Sequence, residues 1–393
     1  MASLGEVTTG ACAYVDDIEV MPKDEESLRL VSGKIGRALQ KISLKSHPKK
    51  TEIVVSGKVK ETKSMRDNLR RDPAMMQGNE IGVVESASYL GMTISESGFR
   101  ETIHMTAKNR TLKAWGRVKE IKAVINDHRM KHIGWLKAGV LLIRSVVIPS
   151  ITYSSETWAQ MYKYTRNMIE FEYKSMIYFI LDIPTTTKFT SVLADTGLPG
   201  IMSVIDKLRI TFIDHTLWKN GDAAARELLR EEEKLLGDES ILGLVDRLCS
   251  EYLIPPVSRN NLNKKLVKRW VKEKDETERW ISNLMSPVTE NVGIERTRIS
   301  SNFHRLSKRE SQAIISFNAG NLRLKSAWKE FKGKDGCLVP FCDGRDTLDH
   351  LKVCRFYDTK WKESYKDDIK EFAKWLTRID TERRRRWKGQ SLI

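Results

Sequence analysis

The chain has 393 residues, 40% of them apolar, and carries 68 Lys and Arg against 52 Asp and Glu, a formal net charge of +16. That length allows two or three domains and a sizeable core, and the apolar fraction excludes a disordered chain. The basic excess points to a polyanionic partner, nucleic acid ahead of an anionic membrane surface.

The opening string, MASLGEVTTG, has no basic start and no long apolar run, so it does not read as a signal peptide. Next comes GACAYVDDIEVM, in which Asp16 and Asp17 interrupt the apolar run from Ala11 to Val20. Residues 11–20 read as strand, turn, strand. Alternation along the chain puts Tyr14 and Asp16 on one face and Val15 and Asp17 on the other. Adjacent aspartates at a hairpin tip can hold a divalent cation through oxygen. A plain surface turn is the alternative, because Asp favours turns. DEESLRLVSGKIGRALQKISL then reads as an amphipathic helix, with Leu28, Val31, Ile35, Leu39 and Ile42 at helical spacing. TEIVVSG and SASYLGMTIS read as strands. KSMRDNLRRDPAMMQGNE between them reads as a charged insertion or long turn.

From about residue 100 the pattern is helical. Leu112, Trp115, Val118, Ile121 and Ile125 make one stripe. A second helix runs from about Ile133 to Ile148, where Pro149 should end or kink it. A third starts near Ser155 and carries Trp158, Met161, Ile169, Tyr173, Met176 and Phe179. DIPTTT stops it, and GLPG at Gly197 to Gly200 is a turn before a further helix through Ile213. The most apolar string, GVLLIRSVVIP, is broken by Arg144 and is shorter than the roughly 20 residues that span a bilayer, so no membrane partner is expected. An intracellular protein with reduced cysteines follows, placed in cytoplasm and nucleus. Residues 219–260 are strongly charged, and Pro255 and Pro256 mark a boundary.

Three strings interleave Lys and Arg with aromatic residues: KKLVKRW, FHRLSKRE and ERRRRWKGQ. Such strips can contact phosphates and stack on bases, although a solvated helix face reads the same way. Arg383–Arg386 also fits a nuclear localisation signal. CLVPFCDGRDTLDHLKVC places Cys337, Cys342, His350 and Cys354 as C-x4-C-x7-H-x3-C, a donor set suited to tetrahedral Zn²⁺. Buried cysteines with a surface histidine are the alternative. His47, His104, His128, His132, His215 and His304 show no metal spacing.

The order YVDD, KKTEIVV, YLGMTI resembles the reverse transcriptases of non-LTR (LINE-type) retrotransposons. YVDD looks like the catalytic palm hairpin, KKTEIVV the following motif, and YLGMTI the primer-grip hairpin. VVIPSITYSSETWAQ and LDIPTTTKFTSVLADTGLPGI are similar to that family's thumb segments, and RDTLDH echoes its C-terminal Cys-Cys-His-Cys knuckle. The resemblance implies template-directed DNA synthesis on an RNA template and a DNA primer or target. Two Mg²⁺ (or Mn²⁺) ions would clamp the attacking and leaving oxygens. Asp16 would be the metal ligand and Asp17 its support. Lys50 would protonate the leaving pyrophosphate, and Tyr14, Tyr89 and Gly91 would position the primer end. A solvated lysine at a strand edge, and an ordinary strand and bulge, are the competing readings of Lys50 and of Tyr89 with Gly91.

The expected fold is α+β, mostly α. A partial palm occupies residues 1–98, a helical thumb 99–218, a charged helical connector 219–299, and a module with the zinc knuckle and a basic tail 300–393. The family's palm also needs an aspartate on an earlier strand, and only Glu6 is acidic before Asp16. The chain is therefore expected to be the C-terminal part of such an enzyme and inactive alone. The alternative is a non-catalytic nucleic-acid-binding protein derived from a retroelement.

Overall fold

A computed structural model describes residues 3–4, 7–8, 10–14, 17–57, 59–126, 135–159, 161–219, 223–254, 267, 269–274, 306–318 and 369–390. The protein is α+β and mostly helical, with short strands paired only in twos among the described residues. It divides into two compact units. One comprises Met1–Arg110, Ser154–Asn167 and Arg209–Cys249, and the other Thr111–Tyr153, Met168–Leu208 and Ser250–Ile393.

The first unit opens with a two-stranded pair, β1 (Ser3–Leu4) and β2 (Val7–Thr8). The hairpin β3 (Gly10–Tyr14) and β4 (Asp17–Met21) follows, antiparallel from Tyr14↔Asp17 to Gly10↔Met21. Helix α1 (Glu25–Lys41) is started by Asp24, whose carboxylate accepts a 2.7 Å bond from the Ser27 amide. Val31 is buried on its inner face, whereas Ile42 lies past the helix end and is exposed.

The string read as a charged insertion is helix α2 (Val59–Arg71), followed by the hairpin β6 (Met75–Met76) and β7 (Asn79–Glu80). Topology requires this. Strand β5 (Glu52–Val54) pairs parallel with β8 (Gly82–Val84), and two parallel strands need a crossover connection. Leu69 of α2 is fully buried with Ile53, Val55, Ala74 and Ile81, while Met65 packs at the edge of that cluster. One buried leucine contributes about 2 kcal/mol, and the other faces of α2 are left to charge.

SASYLGMTIS, read as one strand, is a hairpin of β9 (Ser86–Tyr89) and β10 (Met92–Ser95). Helix α3 (Phe99–Asn126) lays its first turns along β10. The Thr93 amide donates to Thr106 Oγ1 at 2.8 Å, and the Ser95 amide to Thr102 Oγ1 at 2.9 Å. Threonines four apart thus cap successive outward amides of an edge strand.

In the second unit the later turns of α3 bury Ala114, Val118 and Ile121, and Leu112 is exposed rather than part of that stripe. Helix α4 (Trp135–Leu142) runs through a π-helical turn, Ile143–Val147, into α5 (Ile148–Thr152). Pro149 does not end the helix. The widened turn before it, with the Ile148 amide bonded to the Ile143 carbonyl, absorbs the residue that cannot donate. This run, Trp135–Thr152, has 18 residues and a mean hydropathy of 1.4, and half of it is buried inside the protein.

Helix α6 (Lys163–Leu181) begins later than the periodicity suggests. A 3-10 turn, Ser155–Thr157, precedes it, and Phe179 is exposed. Helix α7 (Phe189–Thr196) ends at Gly197, whose φ of +64° is the left-handed cap that favours glycine. Helix α8 (Ile201–Ile213) follows, then α9 (Ala223–Leu236) and α10 (Ile241–Glu251). Residues 269–274 are helical. The last two described helices are α11 (Lys308–Asn318) and α12 (Ile369–Gln390), with Phe317 and Phe372 in edge contact at 5.5 Å.

Candidate functional site

The chain folds into tight antiparallel hairpins at both strings singled out in the N-terminal region. In β3–β4 the pairing of Tyr14 with Asp17 leaves two residues, Val15 and Asp16, to connect the strands. Asp17 begins β4 and is exposed. Asp16 and the side chain of Tyr14 lie outside the described residues. Glu19, facing Cys12 in the ladder, is half-buried, and that burial holds its carboxyl above the usual range. Ile18 and Met21 of β4 are exposed.

Lys50 lies in the turn after α1 and is exposed; its amide donates to the His47 carbonyl at 3.0 Å. The Thr51 amide and hydroxyl reach the same carbonyl, at 3.0 and 3.1 Å, and set the entry to β5.

Tyr89 and Gly91 meet at the tip of β9–β10. Leu90 and Gly91 are the two turn residues, with φ of +45° and +79°. Positive φ at both positions is the geometry whose twist matches that of the flanking strands. No bulge forms here, contrary to the ordinary strand-and-bulge reading. Arg110 of α3 clamps the turn by donating to the Gly91 carbonyl at 2.8 Å, and Asn109 donates to the Thr93 hydroxyl at 2.9 Å. Arg110 and Asn109 were not singled out from the sequence. Their signal is weak there, two polar residues on a helix whose partner strand lies some twenty positions earlier.

Cys337, Cys342, His350 and Cys354 lie outside the described residues. Among the described residues no group of three or more His, Cys, Asp or Glu is arranged to hold a metal ion. The basic strips are partly committed to structure. Lys308 is ion-paired with Asp182 and lies 4.9 Å from the Trp135 ring centroid. Arg269 is paired with Glu273 at 2.7 Å. Arg383, first of the four arginines read as a localisation signal, is fully buried in α12.

A cluster that the sequence reading passed over lies on α3 and the start of α6. Arg100 and His104, one turn apart on α3, face Tyr162 and Tyr164. The guanidinium of Arg100 is 5.8 Å from the Tyr162 centroid and pairs with Glu239 at 2.9 Å. The two tyrosine rings are stacked, 4.9 Å apart with planes 18° from parallel, and His104 meets Tyr164 edge-on at 4.7 Å. His104 Nδ1 is 3.0 Å from the Thr165 hydroxyl. Local desolvation, then the charge of Glu101, raise the Tyr164 hydroxyl above its ordinary range. No protein family, curated protein or solved structure matches this chain.

Proposed function

We propose that this chain is the C-terminal part of a LINE-type RNA-directed DNA polymerase, acting on an RNA template and a DNA primer or target. One observation carries the reading. Two-residue hairpins fall on YVDD and on YLGM, in the order and spacing that the resemblance implies. In this reading residues 1–98 are palm, 99–218 thumb, 219–299 connector and 300–393 the knuckle module, with Zn²⁺ held by Cys337, Cys342, His350 and Cys354.

Asp16 and Asp17 are the carboxylates of one hairpin. A two-ion site takes carboxylates brought together from separate strands, and Glu6 is the sole acid before Asp16. Among the described residues no group of three or more His, Cys, Asp or Glu is arranged to hold a metal ion, so no chemical step is assigned to this hairpin. What these residues do in this reading is bind and orient. Arg110 holds the β9–β10 tip against α3, and Tyr89 sits beside that tip to receive a primer end.

The test is primer extension on an RNA template with Mg²⁺ or Mn²⁺. Residues 1–393 alone are expected to give none. A polypeptide extended upstream to supply the second aspartate is expected to extend the primer, and Asp16→Ala in it to abolish extension. Robust extension by residues 1–393 would overturn the incompleteness. Inactivity of the extended polypeptide, with nucleic-acid binding intact, would favour the second reading, a non-catalytic nucleic-acid-binding protein. The charge of +16 supports that alternative equally.

A further inference from the structure

Aromatic rings fixed at a surface offer flat faces on which a planar group can stack. Tyr164 is 50% exposed, yet its ring is fixed on several sides: stacked on Tyr162, met edge-on by His104, and hydrogen-bonded through its hydroxyl to Glu101. A ring with two torsions, both already set, loses little freedom when a flat partner lands on it.

The surroundings favour an anionic partner. Lys163 and Arg166 flank the tyrosines on the first turn of α6, and both are exposed. Lys108, one turn beyond His104 on α3, is exposed as well. The acids of the cluster, Glu101 and Glu239, are engaged with Tyr164 and Arg100. Flat aromatic surface beside cations is the pairing used to bind single-stranded nucleic acid, where bases stack and phosphates meet Lys and Arg.

We propose that Tyr162, Tyr164 and His104 form a stacking platform for an unpaired base of single-stranded nucleic acid, with Lys163 and Arg166 receiving the adjoining phosphates. The proposal rests on the reading that the chain binds nucleic acid. It names the residues on which an unpaired base would stack, none of them among those chosen from the motifs.

The experiment measures binding of fluorescein-labelled oligo(dT), and of the same backbone with abasic sugars, by anisotropy. Wild type, Tyr164→Ala, Tyr164→Phe and Lys163→Gln are compared after unfolding midpoints show that each variant folds. Tyr164→Ala is expected to weaken oligo(dT) binding about 10-fold, and Tyr164→Phe to bind like wild type, because the ring and not the hydroxyl stacks. On the abasic strand Tyr164→Ala and wild type should be equal. Lys163→Gln should weaken both strands and reduce the slope of affinity against salt. If Tyr164→Ala binds oligo(dT) as wild type does, or weakens the abasic strand equally, the platform is overturned while nucleic-acid binding stands. If wild type binds neither strand, the nucleic-acid reading fails, and the platform with it.

Discussion

At Leu90 the backbone takes a φ of +45°, a region that bulky side chains enter at a cost of roughly 1 kcal/mol. The cost is tolerated because Gly91 completes the turn and Arg110 holds its carbonyl. Asp182, at φ +49°, is the easier case, since Asp and Asn accept this conformation. It follows the last residue of α6 and draws in two lysines. Lys122 Nζ is 2.6 Å from Oδ1, and Lys308 reaches Oδ2. Gln312 donates to the Leu181 and Asp182 carbonyls at 3.2 and 3.1 Å, satisfying acceptors that the helix end leaves open. Burial pushes the Asp182 carboxyl up, and the two ammonium groups outweigh it and hold the carboxyl below its ordinary range. A depressed carboxylate stabilises the fold above its unfolded value of about 3.9, and that stability is lost as pH falls through the folded value. Asp182→Asn keeps the backbone conformation and removes only the charge. At pH 7 it is expected to cost about 1 kcal/mol, a modest figure because Asp182 is 43% exposed and screened by solvent. The difference from wild type should shrink below pH ~4. Urea unfolding at pH 7 and pH 3 measures it, and an undiminished difference at pH 3 would mean that charge is not the cause.

Among the elements, β10 shows how a short strand survives at a sheet edge. Its outward amides are buried and would be unsatisfied without Thr102 and Thr106. Thr106→Val keeps the shape and removes the acceptor. It is expected to destabilise the protein by about 1–3 kcal/mol, the cost of a buried donor left without a partner. An unchanged unfolding midpoint would show that water replaces the hydroxyl. Such pairings are hard to read from a sequence. The spacing of Thr102 and Thr106 is visible, but nothing local says that a strand lies alongside. The β3–β4 hairpin was legible because an Asp-rich string between apolar residues marks a turn, whereas SASYLGMTIS read as one strand and its hairpin came only with the resemblance. Helix α2 was not legible, since Leu69 and Met65 are the apolar residues that face the core and the rest of the string is charged or polar. Pro149 was expected to end or kink its helix, and the helix runs on past it. A proline ends a regular α-helix, but a widened turn removes the clash, and no feature of GVLLIRSVVIP announces a π-helical turn. In the candidate site, Asp17, Lys50, Tyr89 and Gly91 were chosen by motif. The tyrosine cluster was missed because its members come from segments about 60 positions apart.

For the whole molecule, the donor set Cys337, Cys342, His350 and Cys354 is proposed to hold Zn²⁺. Metal analysis of purified protein should give one zinc per chain, lost in Cys342→Ser combined with His350→Ala. A well-folded wild-type protein free of zinc would rule the site out. The division of the chain into units carries a different consequence. The first unit is assembled from three separate stretches, the last of which ends at Cys249. During synthesis at roughly 5–20 residues per second, about 7–28 s pass between the end of its first stretch, at Arg110, and the end of its last. Through that interval the hairpin edges and the exposed apolar residues of β4 stand open to wrong pairing. Messages cut short before codon 249 would yield products that lack part of this unit, and such products are natural clients for chaperones and proteases.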